Sequence, residues 1–433
     1  MGYLRLILAP LVKCFVGAMS ENHSWDVYPL VFTVDFLFGA CLSDYQHFGQ
    51  TVCDLPPTDG ARHIERFRED FDLAKKLGLS CFRSGIEWSR VEPRQGEFSK
   101  DALAFYREYY SELSSRGLKV FATLHHFTNP PWIHGLGGWL SRQIGAEFLK
   151  YVEAVVSEIG DKVDYLLLYN EPSIYAYMAY LKGEGGLPPY KKDRSALLDA
   201  LELIVNIISE AADRVRSAGF KGWVGFTHAV PNTKPRPGYS LSARMYSSLA
   251  RGALFYDVLD ELASVVDFVG LDYYTMNYVG GGGQIVASQI DPKGLTDSLL
   301  EVWLRYRVPI AVTENGFPTR NHTLKTKYLV DHLTAVAKAL EAGVPVFAYN
   351  WWSFLHGYEW GYEYKPFFAL VDVAQDYTRT PTPTAEEYSK IAQSRLISVE
   401  QQEWALSQPY PGVMRDWRLD ADTSPGLRAQ TKA

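Results

Sequence analysis

The stretch ALAFYREYYSELSSRGLKVFATLH, residues 102–125, reads as one amphipathic helix delivered by a glycine into one buried strand. Apolar and aromatic residues recur at helical spacing up to Gly117, and the period then shortens into a β-branched and aromatic run. A glycine at that junction suits a left-handed helix C-cap. The same pairing recurs outward in both directions. Toward the N-terminus, HIERFREDFDLAKKLG (63–78) precedes LSCFRSGI (79–86), and FLFGACL (36–42) opens the series. Toward the C-terminus, further strands are expected at VDYLLLY (163–169), WVGFTH (223–228), VVDFVGLDYY (265–274), VPIAVTE (308–314) and VPVFAYNW (344–351). The helix KTKYLVDHLTAVAKALEAG (325–343) ends on Gly343 as the first ends on Gly78. Strands alternating with longer helical segments signal βαβ units and a parallel sheet, and eight strands close a barrel. The fold class expected is therefore α/β, a single (β/α)8 barrel with its site at the carboxyl ends of the strands.

No long linker, charge block or internal repeat divides the chain, so one barrel over residues 36–395 is expected. It is flanked by an N-terminal extension, 1–35, and a C-terminal surface segment or tail, 396–433, rich in Gln, Pro and polar groups. The glycine run Gly280–Gly283 lacks the Lys and Ser/Thr of a phosphate loop and reads as a flexible loop after the sixth strand. Residues 1–19 are apolar but interrupted by Arg5 and Lys13. A membrane span wants about 20 uninterrupted apolar residues, so none is expected. Met19, followed by Ser20, Glu21 and Asn22, makes an alternative start. A cytoplasmic location is expected, with export or membrane association left open by that apolar stretch.

A formal charge of −7, without any cluster of Lys and Arg, argues against a nucleic-acid partner. The four cysteines, Cys14, Cys41, Cys53 and Cys81, lack C-x-x-C pairing or accompanying His spacing. Neither a metal nor a cofactor is expected, and scattered free thiols are the simpler account. With 11 Trp, 28 Tyr and 22 Phe the chain is rich in flat rings, which fill a large core and also suit part-apolar, part-hydroxylated ligands such as carbohydrate. Oligomeric state is not readable, and a homo-oligomer is compatible with the sequence.

In a barrel of this kind chemistry collects where strands end. The strand ends carry Gln46, His125 and His126, Asn170 and Glu171, Asp272 and Tyr274, Glu314 and Asn315, and Trp351 and Trp352. A lone Glu is most often a solvated surface group, but two at the ends of the fourth and seventh strands face each other across the mouth. Glycoside hydrolysis needs such a pair. One carboxyl protonates the leaving oxygen, and the other works from the opposite face of the sugar, about 5–5.5 Å away in retaining enzymes and about 6.5–9.5 Å away in inverting ones. Sequence alone leaves that gap open. Asn170 beside Glu171 is placed to donate to a sugar 2-hydroxyl, which suits Glu171 as the acid. Glu314 must be ionised to attack, with Arg83 and Tyr274 as candidates to hold its charge.

Taken together, FLFG (36–39), YQ (45–46), FRSGIEWSRVEP (82–93), TLHHF (123–127), YNEP (169–172), DYYT (272–275), VTENGF (312–317), WWS (351–353) and YEW (358–360) resemble glycoside hydrolase family 1. That is the β-glucosidase and β-galactosidase family. The resemblance runs from about Phe36 to Tyr388. It implies a retaining, exo-acting β-glycosidase acting through a covalent glycosyl-enzyme on small glycosides or oligosaccharides, with Glu171 as acid/base and Glu314 as nucleophile. It also implies that Gln46, His126, Asn170 and Glu359 ring the terminal sugar, that Trp352 is its stacking floor, and that Trp360 adds an edge contact. Arg83 and Tyr274 match the family's supports for the nucleophile. A transglycosidase and a carbohydrate-binding protein without turnover are the alternatives. The chain departs from the family pattern at Phe48, Phe127, Asp272, His356 and Gly357, and the sugar preferred is not readable.

Overall fold

In the computed structural model, residues 26–238 and 241–420 are described. The apolar stretch 1–19 with its alternative start, and Cys14, lie outside the described residues. Eight parallel strands close on themselves: β1 (Leu37–Cys41), β2 (Cys81–Gly85), β3 (Lys119–Thr123), β4 (Tyr165–Asn170), β5 (Trp223–Ala229), β6 (Phe268–Asp272), β7 (Ile310–Asn315) and β8 (Val346–Trp352). Each lies within a strand expected from the sequence or extends it by a residue. They pair in chain order, and β8 returns to β1 through Tyr349 opposite Phe38 and Trp351 opposite Ala40. The barrel is thus the expected (β/α)8 architecture.

Local chemistry explains how each strand is delivered. Ser99 caps the helix Lys100–Ser115 by accepting from the Ala102 N–H at 3.1 Å, which satisfies one of the donors that a helix start leaves free. Gly117 then takes φ +71°, a conformation costly for residues with a Cβ, and turns the chain into β3.

The amino-terminal end of the barrel is a dry aromatic layer. Phe121 stacks on Tyr165 with centroids 4.2 Å apart, and Phe268, Phe347, Leu167, Ala311 and Ala348 close the layer. Beside the barrel, Leu30 and Val31 pair with Ile397 and Leu396, fastening the two ends of the barrel segment together.

Two features differ from a plain reading of the sequence. Gly280–Gly283 is not a loose loop: it lies at the tip of an antiparallel hairpin, Met276–Val279 with Ile285–Gln289. The segment after Leu396, expected as a surface segment or tail, carries the helix Val399–Ser407. It then returns to the barrel mouth, where Met414 and Ser288 exchange backbone hydrogen bonds of 2.7 and 2.8 Å. Cys41, Cys53 and Cys81 are all buried free thiols. Among the described residues no helix is long and apolar enough to cross a membrane.

Phe121→Ala removes the centre of the dry layer while leaving the mouth intact. It is expected to cost about 3–5 kcal/mol of stability, the usual range for a buried aromatic truncation, read as a lowered midpoint in denaturant unfolding.

Candidate active site

The carboxyl ends of the strands bring together what the sequence placed there. Arg83 on β2 is 1% exposed. Its Nη1 donates to Glu314 Oε1 at 2.7 Å and to the Thr313 carbonyl at 3.1 Å, and its Nη2 donates to Asn170 Oδ1 at 2.5 Å. Tyr274, two residues beyond β6, donates from Oη to Glu314 Oε2 at 2.6 Å. Both oxygens of Glu314 are therefore held.

Glu171 is presented differently. It follows β4 at φ +44°, a left-handed conformation that costs a residue with a Cβ about 1–3 kcal/mol. Its N–H donates to the Thr227 carbonyl at 3.0 Å, and Pro172 starts the next helix at once. That sharp turn lifts the Glu171 side chain over the mouth. Among the described residues no donor hydrogen-bonds its carboxyl.

Asp272, at the end of β6, makes a third acid. One carboxylate oxygen from each of Glu171, Asp272 and Glu314 lies within 4.8 Å of the others. Asp272 Oδ1 accepts from Thr313 Oγ1 at 2.6 Å and stands 4.0 Å from Arg83, while its Oδ2 has no partner among the described residues. Three buried carboxyls that close cannot all ionise. Burial, then Asp272 and Glu314, push the Glu171 pKa well above the usual carboxylate range. Burial and Asp272 also raise Glu314, opposed by Arg83 and Tyr274; burial raises Asp272, opposed by Arg83 and Thr313. Glu171 has no donor on its carboxyl among the described residues, whereas Arg83 and Tyr274 favour the ionised form of Glu314, and Arg83 and Thr313 that of Asp272.

Around this trio lie the other expected residues. Asn170 Oδ1 accepts from Arg83 and from Thr227 Oγ1, 2.8 Å away, and its buried Nδ2 has no partner among the described residues. A buried donor without a partner is costly, and a ligand hydroxyl would satisfy it. Gln46, in the turn Asp44–Phe48, donates from Nε2 to the Tyr358 carbonyl at 2.8 Å and accepts from Ser43 Oγ at 2.7 Å. The Tyr358 N–H donates back to the Gln46 carbonyl at 3.0 Å, locking this turn to the loop that carries Glu359. Gly357 allows the contact, since a Cβ there would lie 2.6 Å from the Gln46 carbonyl oxygen.

Trp352 donates from Nε1 to Glu359 Oε1 at 2.9 Å. Burial raises the Glu359 pKa to about 7, against the pull of that bond. His126 lies parallel to Trp352 with centroids 5.7 Å apart, and burial pushes its pKa well below the ordinary value, so it is a neutral ring. Trp360 stacks on Tyr45 at 5.2 Å, and Phe127 meets its edge at 5.5 Å. Phe48 points away from this group into the core, packed against His63 and Tyr109.

Sequence reasoning missed the C-terminal contribution. Trp417 packs on Tyr274, Phe368 and Phe317 with centroids 5.5, 5.8 and 6.2 Å apart. It is a wall behind the tyrosine that holds Glu314. The available signal was a single large aromatic among charges, DWRLD at 416–420.

A model of glycosyl hydrolase family 1 matches residues 39–243 and 284–396. The chain is 30% identical over 392 residues to the galactolipid galactosyltransferase SFR2, chloroplastic, of Arabidopsis thaliana, covering 81% of this chain and 62% of that protein. It is 29% identical to the beta-glucosidase-like SFR2, chloroplastic, of Oryza sativa subsp. japonica, covering 77% of this chain and 56% of that protein. The chain thus spans a little over half the length of these two relatives. Among solved structures, a beta-glycosidase from Pyrococcus horikoshii superposes with a TM-score of 0.80 at 29% identity, over 88% of this chain and 99% of that one.

Asp272→Asn removes a negative charge beside two acids and so favours the deprotonated form of each. The apparent pKa values of the Glu171–Glu314 pair are expected to fall, read by carboxyl 13C NMR titration of the glutamate-labelled protein. A titration unchanged from the parent contradicts the coupling.

Proposed function

The chain belongs to glycosyl hydrolase family 1, and from that premise we propose that it is a retaining, exo-acting β-glycosidase hydrolysing terminal non-reducing β-linked sugars of the glucoside or galactoside type. The observation that carries the proposal is the separation of the carboxyl pair. With one oxygen of Glu171 within 4.8 Å of one of Glu314, the close approach favours the about 5–5.5 Å spacing of retaining enzymes over the about 6.5–9.5 Å gap of inverting ones.

In the proposed reaction the Glu314 carboxylate attacks the anomeric carbon as the glycosidic bond breaks, and Glu171 gives its proton to the departing oxygen. This leaves a glycosyl ester on Glu314 and a carboxylate at Glu171. Water then loses a proton to Glu171 and attacks the same carbon from the face the leaving group vacated, freeing Glu314 and returning the sugar with its original configuration. Arg83 and Tyr274 keep the nucleophile ionised and aimed. Asn170 Nδ2 is the proposed donor to the sugar 2-hydroxyl, a contact that strengthens as the ring flattens toward an oxocarbenium ion. Gln46, His126 and Glu359 take the remaining hydroxyls, with Trp352 below the ring and Trp360 at its edge.

A second reading has a specific observation in its favour: the relative from Arabidopsis thaliana is named a galactosyltransferase. In a transglycosidase a sugar hydroxyl replaces water in the second step, with the same two carboxyls in the same roles. Product analysis with an added sugar acceptor separates the two, since a transferase makes the new glycoside in preference to free sugar.

A panel of aryl β-glucosides and β-galactosides tests the main reading. Glu314→Ala is expected to lower kcat/KM by about 10⁴-fold or more on every substrate. Glu171→Ala should cost about 10²–10⁴-fold on poor leaving groups and far less on good ones in the first step, because these need little protonation. NMR of the first-formed sugar should show the β-anomer. Equal loss in both variants across all leaving groups contradicts the division of roles, and binding without turnover in the parent protein would mark a carbohydrate-binding protein instead.

A further inference from the structure

The helix Leu241–Arg251 presents its large apolar side chains to solvent and its small ones to the protein. Leu241, Met245 and Leu249 recur at i, i+4 and i+8 and so share one face, and they are 74%, 56% and 54% exposed. Of the helix residues only Ala243 and Ser247, on the opposite face, are buried. A surface helix ordinarily turns its apolar stripe inward. This one is seated the other way round: Ser247 Oγ donates to the Thr233 carbonyl at 2.9 Å, and the strand Thr233–Pro235 pairs with Met276–Val279 of the glycine-tipped hairpin. Tyr246 lies against the hairpin tip, where a Cβ on Gly283 would come 2.8 Å from its Cδ1. Near that tip Ile285 is 58% exposed. Helix and hairpin thus adjoin as one surface, built from the segments that follow β5 and β6.

The charge of this surface is one-sided as well. Residues 230–256 carry Lys234, Arg236, Arg244 and Arg251 and no acid, and residues 273–290 carry no Asp, Glu, Lys or Arg, in a chain whose formal charge is −7. The acids that meet these cations come from beyond both segments: Glu301 pairs with Arg251 at 2.5 Å, and Asp291 stands 3.9 Å from Lys234. Arg244 is exposed along the edge of the apolar stripe. A stripe of large apolar residues edged by a cation fits the interface of an anionic bilayer, where the stripe enters the acyl boundary and the cation meets the headgroups. A second copy of the chain fits it less well. A two-fold contact sets one patch against itself, and here that would bring basic side chains together.

We propose that the helix Leu241–Arg251 and the adjoining hairpin tip dock this protein on an anionic lipid surface, with Leu241, Met245, Leu249 and Ile285 inserted and Arg244 at the headgroups. Docking of this kind lies in the plane of the interface and needs no spanning helix. It combines burial of apolar area with a Coulombic part that salt screens. The inference goes beyond the glycosidase reading and stands apart from it, because none of these residues belongs to the carboxyl trio or to the residues around it.

The test is cosedimentation of the full chain with vesicles of phosphatidylcholine alone and of phosphatidylcholine mixed with phosphatidylglycerol. It compares the parent protein with Arg244→Gln and with a triple variant that combines Leu241→Ser, Met245→Ser and Leu249→Ser. The parent is expected to bind the anionic vesicles, and the neutral ones more weakly. The triple variant should lose about 10-fold or more of that binding. Arg244→Gln should lose about 3- to 5-fold at low salt and little at high salt. All four substituted side chains face solvent, so thermal unfolding and turnover of a soluble aryl β-glycoside are expected to match the parent in both variants. A parent that ignores the anionic vesicles overturns the proposal, as does one that binds both kinds equally. Binding that survives in the triple variant comes from another part of the chain and overturns it too. Dimers in sedimentation velocity that the triple variant abolishes, without vesicle binding, would give the patch to a second copy instead. Absence of turnover in the parent counts against the glycosidase reading alone.

Discussion

A guanidinium withdrawn from water at the carboxyl end of β2 organises the whole mouth. Arg83 gives hydrogen bonds to Glu314, Asn170, the Thr313 carbonyl and Thr123 Oγ1, joining β2 to β3, β4 and β7, and its charge also reaches Asp272 on β6. Burying one cation is expensive, and burying three acids beside it more so. The arrangement closes only because the acids share that single cation unequally. Glu314 receives it together with a tyrosine hydroxyl, Asp272 stands at the limit of contact, and Glu171 lies outside its hydrogen bonds. The difference between the two glutamates follows from which of them Arg83 reaches: it bonds Glu314 at 2.7 Å, and among the described residues no donor bonds the carboxyl of Glu171.

That arrangement needs a rigid frame, and the barrel divides the labour along its axis. At the amino-terminal end Phe121, Tyr165, Phe268 and Phe347 fill the interior with rings and contribute stability mainly through apolar burial. At the other end the interior is charged, with hydrogen bonds replacing dispersion as the packing force. Every strand runs the same way, so one residue type per position suffices: apolar where a strand begins, polar where it stops. The loops then lock to one another. The contact of the Gln46 turn with the Glu359 loop through paired backbone and side-chain bonds is the clearest case, and Gly357 is what permits it.

The strands and the chemistry at their ends were readable because both depend on short-range patterns. Period-two and buried runs flanked by helix-period segments locate the strands, and a carboxylate just past such a run is already oriented by the barrel. Asp272 was readable at its strand end for the same reason, and Arg83 stands 4.0 Å from it. Pairings distant in sequence were not readable. Gly280–Gly283 reads as slack chain until Met276–Val279 is seen to pair with Ile285–Gln289, and nothing near Trp417 announces that it packs against Tyr274, more than a hundred residues earlier. Such contacts are specified by where two loops meet in space, and neither loop carries that information alone.

Phe48 shows how a departure from a family pattern can be consistent with a working pocket. The turn Asp44–Phe48 buries every one of its side chains, so a residue there faces either the mouth or the core, and register decides which. Gln46 is fixed by Ser43 and by Tyr358, and two residues later the ring of Phe48 meets His63 edge-on at 4.9 Å. His63 is in turn bonded to Asp70 and Tyr109, each at 2.8 Å. A carboxylate in place of Phe48 would enter an aromatic core that already holds one buried acid, Asp70, already paired with Arg379, and would find no cation of its own. The phenyl ring anchors the turn by packing, and Gln46 ties the same turn to the Tyr358 loop.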